Sequence, residues 1–168
     1  MGTAIVRTLG VSALAALALI IMSDLPIIGS IINFPGLNWV IWIGVWAWLA
    51  DRFVREARPA LSLSENPSIP AMAVGALLGV TSGLVGQLIQ LAIQSVIFST
   101  AANHAAQTGS IAATTAAAGS MFSSVGSLIA IFVYPAFGAF WGGLFGLIWG
   151  MRVRQAAPTE LIPPQTTQ

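Results

Sequence analysis

Gln87, Gln90 and Tyr134 are the residues whose type and setting best fit a site. Gln87, Gln90 and Gln94 recur at spacings of three and four inside a long uncharged, largely apolar stretch, so they share one helix face. Each amide carries both donors and an acceptor. Hydrocarbon can satisfy neither, so these side chains must face protein or water. Tyr134 precedes Pro135. That proline lacks a backbone donor and frees the carbonyl four residues earlier, at Ile131. Antiparallel packing of the two segments would bring Gln87 near Tyr134 and Gly138. Two readings follow. One is a hydrated crevice, open to the outside, lined by Gln87, Gln90 and Tyr134, with His104 as a further candidate for its lining. The other, which we prefer from sequence, is a hydrogen-bonding patch between helices, with a glutamine amide serving the Ile131 carbonyl.

Other reactive residue types are sparse. His104 is the only histidine and there is no cysteine, so no metal site, cofactor site or thiol nucleophile is expected. A Ser-His-Asp set would need His104, Asp24 and a serine, and no nucleophile-elbow motif supports one. No catalytic residue is assigned, and an enzyme is not expected. Asp24 is the only acid near an apolar segment without an arginine close by. It precedes Leu25-Pro26 and reads as a helix end at a membrane interface. Trp39, Trp48 and Trp149 fit interfacial belts. Trp42 and Trp46 read as bulk facing lipid or a partner.

The composition explains why chemistry is sparse. Of 168 residues, 57% are hydrophobic and only 7% charged, against about 25% charged in a soluble domain. Such a chain cannot cover a water-facing surface, and its expected environment is a lipid bilayer. Net charge is +1 and all the basic residues are arginines. They form no stripe able to neutralise phosphates, so nucleic acid is excluded as a partner.

The charges divide the chain into elements. A span needs about 20 apolar residues. The sequence predicts an all-α, four-transmembrane-helix antiparallel bundle with spans near 4–22, 37–54, 70–98 and 122–151. These form one membrane domain over 1–154, followed by a disordered tail over 155–168. The Ser-, Thr- and Ala-rich stretch from Ser99 to Ser120 reads as a loop. Asp51 and Arg55, like Arg52 and Glu56, are four apart and should pair on a helical extension that Pro59 ends. Pro70 suits the first turn of the third span. Pro26, Gly29, Pro35 and Gly36 break the stretch over 25–36, which reads as a short interfacial helix, with a re-entrant loop as the alternative.

With four spans, Arg7, Arg52, Arg55, Arg58, Arg152 and Arg154 all fall on one side. The positive-inside rule makes that side cytoplasmic, with both termini inside and the cell membrane as the location. Cleavage of the first span as a signal peptide is the competing reading. It would leave three spans, and no small-x-small site precedes Asp24.

Glycines recur every fourth residue in the last two spans: Gly75, Gly79 and Gly83, with Gly86 on the same face, and Gly138, Gly142, Gly146 and Gly150. Such stripes let two backbones approach closely. They lie at matching depth, so the expectation is a glycine zipper between spans three and four of one chain. A zipper between copies is the alternative. The function expected is a non-enzymatic structural or accessory subunit, with an unidentified membrane protein as partner. The alternative is a small homo-oligomeric channel or transporter using the crevice.

Overall fold

The computed structural model describes residues 1–32, 34, 36–108 and 111–155. Among these the chain is helical, without strands. Helix α1 runs over Gly2–Ser23. It stops where Leu25 precedes Pro26, because a residue before proline avoids the helical region. Helix α2, Pro26–Ile32, starts on that proline, whose missing N–H costs nothing in a first turn. Gly36 then takes φ 87°, a left-handed conformation that glycine adopts without strain. It turns the chain into α3, Leu37–Leu61, which lies at 85° to α2. Helices α4, Ser68–Thr108, and α5, Ile111–Gln155, complete the fold.

Three helices are long and apolar enough to cross a membrane: α1, α4 and α5. A fourth span is present if the bent pair α2 and α3 is counted as one. Many large apolar side chains point outward, among them Val6, Leu88 and Phe140. Water would reject that surface and hydrocarbon accepts it.

The helices pack around two apolar clusters. Ala4, Phe53, Leu61, Ala71 and Val153 share the first. It therefore gathers the start of α1, the end of α3, the start of α4 and the end of α5. Arg7, Arg58 and Arg152 belong to these same helix ends, which we call the arginine end. The second cluster lies further along the bundle, where Ala16, Trp42 and Trp46 meet Val85, Tyr134 and Trp141. Helix α1 enters both through Ala4, Thr8, Ser12, Ala16 and Ile20, buried at every fourth position.

Buried hydroxyls tie the helices together. The Leu78 carbonyl on α4 accepts from Ser12 Oγ of α1 at 3.1 Å and from Ser82 Oγ at 2.9 Å. Trp46 Nε1 of α3 donates to Ser82 Oγ at 3.0 Å. Thr8 Oγ1 donates to the Ala4 carbonyl at 2.8 Å within its own helix. Each hydroxyl that lipid could not solvate is thereby satisfied.

Several sequence expectations need correction. The stretch expected as a loop from Ser99 to Ser120 is helical over Ser99–Thr108 and Ile111–Ser120; 109 and 110 lie outside the described residues. Its alanines favour helix more strongly than its polar residues oppose it. Helices α4 and α5 thus have 41 and 45 residues rather than the lengths expected from 70–98 and 122–151. Pro59 does not end α3, which continues to Leu61. Trp42 and Trp46 do not face lipid; they are 6% and 1% exposed. Pro70 does lie in the first turn of α4. The expected disordered tail lies outside the described residues beyond Gln155.

Candidate functional site: a polar crevice away from the arginine end

Gln87, Gln90 and Tyr134 line one cavity of about 290 Å³. Four elements build it. Helix α1 contributes its last turn, with Ser23 and Asp24 following Ile20. Helix α3 contributes its first two turns through Asn38 and Trp42, and α4 and α5 supply the glutamines and the tyrosine. The heights agree because α1 ends and α3 begins level with the middle of the much longer α4 and α5. Ile32 of α2 also reaches the cavity.

The polar groups are unevenly satisfied. Asn38 Nδ2 donates to the Tyr134 hydroxyl at 3.3 Å. Tyr134 is further fixed by stacking on Trp39, with centroids 4.9 Å apart and planes at 14°. The edge of this aromatic group meets Trp42, at 6.0 Å and 72° from Tyr134. Gln87 and Gln90 are half-buried, and neither makes a side-chain hydrogen bond among the described residues. The glutamine bond to the Ile131 carbonyl, expected from sequence, is therefore not formed. The polar bond between helices at this height is made by Asn38 and Tyr134 instead. Asp24 is exposed at the cavity and forms no ion pair among the described residues. His104 does not line the cavity; it lies about 21 Å further along α4 than Gln90.

Sequence reasoning thus found three of the lining residues and passed over others. Asp24 had a visible signal as an acid without an arginine nearby, but its helix-end position suggested a purely local role. Asn38 had no signal beyond being polar at the start of an apolar segment. Trp42 was noticed and assigned to the outside.

Beneath the cavity, towards the arginine end, α4 and α5 touch backbone to backbone. A Cβ placed on Gly79 would lie 2.8 Å from Gly138 Cα, and one on Gly83 would lie 2.8 Å from Pro135 N. One on Gly75 would lie 2.9 Å from the Gly142 carbonyl carbon and 3.3 Å from Gly146 Cα. Gly146 faces Ala71 and Met72, and Gly150 faces Ser68 and Ala71. Gly86 leaves this row. Its added Cβ would meet Trp42 Cη2 at 3.4 Å and Ile20 Cδ1 at 3.6 Å, so it makes room for α1 and α3 and not for α5.

A second polar group lies on the α3 surface at the arginine end. Arg52 pairs with Glu56 at 3.0 Å and Arg55 pairs with Asp51. The Asp51 hydrogen bond raises the Arg55 pKa further above its already high value. The Arg152 guanidinium sits 4.0 Å over the Trp149 ring. The carboxylates are paired, while Arg52 Nε and Trp149 Nε1 stay buried without a hydrogen-bond partner among the described residues.

No family model, curated protein or solved structure was found to match this chain.

Proposed function

We propose that this chain is a non-enzymatic, four-span membrane protein that serves as a structural or accessory subunit. In this reading α2 lies at the outer interface and α3 counts as the second span. Both termini are cytoplasmic, since the arginine-bearing helix ends share one end of the bundle. Spans three and four form a glycine zipper within the chain. The observation that carries the reading is the backbone contact of Gly75, Gly79 and Gly83 with Gly138, Gly142 and Pro135. It closes the α4–α5 interface on the arginine side, so among the described residues a single chain offers no polar path between these helices from end to end. The reactive groups are also scattered, with His104 far from Asp24.

Native mass spectrometry after mild extraction from the source membrane tests the proposal. A complex of fixed stoichiometry with an unrelated membrane protein supports it. A chain recovered only alone or only with copies of itself overturns the accessory role.

A second reading, a homo-oligomeric channel or transporter, is favoured by one observation. Gln87 and Gln90 line a cavity with Tyr134 while their amides make no hydrogen bond among the described residues. Flux through liposomes containing the purified chain separates the two. Solute movement that Gln87→Leu and Gln90→Leu abolish supports transport, and its absence leaves the accessory reading.

A further inference from the structure

We propose that the crevice recognises a small organic ammonium ion, as a free amine or as the ammonium group of a lipid headgroup. The inference rests on the crevice itself and is independent of the accessory role.

Among the described residues, Asp24 is the only charged one lining the cavity. Arg7, on the same helix, is about 26 Å down the axis, well beyond the ~8–10 Å over which exposed charges act in salt. The carboxylate is therefore uncompensated. An anion in the cavity would meet its repulsion, and no arginine among the described residues lines the wall to offset it. A neutral solute would leave the charge unused.

The remaining chemistry narrows the cation. Gln87 and Gln90 make no side-chain hydrogen bond among the described residues, and their amide oxygens can accept from the N–H groups of a primary ammonium or the hydroxyl of a quaternary one. Trp42 and Tyr134 add aromatic surface, which attracts a cation through the ring quadrupole. Compact metal cations are held by several oxygen ligands, carboxylates foremost, and Asp24 is the one carboxylate among the described residues of this wall. A cavity of about 290 Å³ is at the small end of ligand sites, so the guest has the size of ethanolamine or choline.

The test uses the full chain in nanodiscs of phosphatidylglycerol, with thermal unfolding followed by tryptophan fluorescence. Choline or ethanolamine should raise the midpoint saturably, while ethylene glycol, sodium acetate and magnesium chloride should not. Asp24→Asn should unfold like the parent without ligand and bind the amine roughly tenfold more weakly, as expected for loss of a charged partner. Gln87→Met keeps the side-chain volume, removes the amide and should weaken binding severalfold.

Three results would overturn the proposal: no shift with either amine, an equal shift with a control solute, or an unchanged response in both variants. Adding phosphatidylethanolamine to the nanodiscs identifies the source. Competition with free ethanolamine means that the headgroup occupies the site, and unchanged affinity means that a free amine does. Binding is read on the isolated chain, so failure here leaves the mass-spectrometric test of the accessory role intact.

Discussion

Ser82 occupies a junction of three helices. Its hydroxyl accepts from Trp46 Nε1 at 3.0 Å and donates to the Leu78 carbonyl at 2.9 Å. That carbonyl also holds Ser12 of α1. Ser82→Ala leaves the buried Trp46 N–H without an acceptor. Hydrogen bonds between membrane helices average ~0.6 kcal/mol and reach ~1.7. We expect a loss of about 1 kcal/mol, measured by unfolding in mixed detergent micelles. Trp46→Phe in the Ser82→Ala background should then cost less than Trp46→Phe alone, because the shared bond is already gone. Equal costs in the two backgrounds would show that this bond contributes nothing. Asn38→Ala is a second case. It removes the bond to Tyr134 but leaves the Trp39 stack, so a smaller loss, below about 1 kcal/mol, is expected.

Between helices, the glycines differ sharply in what surrounds them. Gly79→Ala would drive a methyl into the Gly138 backbone, and Gly142→Ala one into Gly75. Neither helix can yield without separating, so each should cost several times more than Gly86→Ala, whose neighbour is the edge of the Trp42 ring at 3.4 Å. Gly44→Ala has nothing within 4 Å and should stabilise α3 by ~0.5–1 kcal/mol through helix propensity. Thermal midpoints of the four variants should follow that order. If Gly79→Ala and Gly44→Ala behaved alike, the close contact would carry no weight.

The same elements show what a sequence makes legible. The glycine rows of α4 and α5 stood out because their period of four matches a helix face. The row Ala4, Thr8, Ser12, Ala16 on α1 has the same period and the same burial, yet without glycine it looked like ordinary span composition. The two central tryptophans were misplaced because apolarity does not distinguish a side chain facing lipid from one facing protein. The Gln87, Gln90 and Tyr134 cluster was legible from polarity in an apolar setting. The first turn of α3 was not, since Asn38 reaches the site only through tertiary packing.

At the scale of the whole molecule, the absence of cysteine allows topology to be mapped one engineered thiol at a time. Ser64→Cys, between α3 and α4, should react with an impermeant maleimide only when the cytoplasmic face is open. His104→Cys, near the end of α4, should react in intact cells. Reaction of both from the same side would exclude the four-span arrangement. The lengths of α4 and α5 lead to the same experiment. At 1.5 Å per residue, 41 and 45 residues extend about 60 and 67 Å, roughly twice the ~30 Å hydrocarbon core. The α4–α5 hairpin therefore continues well past the ends of α1 and α3.

That overhang has a mechanical consequence. Pro135 interrupts the hydrogen-bond ladder of α5 where the backbone rests on Gly83, directly below the crevice. From Tyr134 to Ile111 the arm measures about 35 Å. A 10° change of bend at the proline would sweep its far end through about 6 Å. Since Ala130 of α5 and Gln90 of α4 line the crevice together, such a bend would carry both arms of the hairpin, with the base among the arginines as the fixed end of the lever.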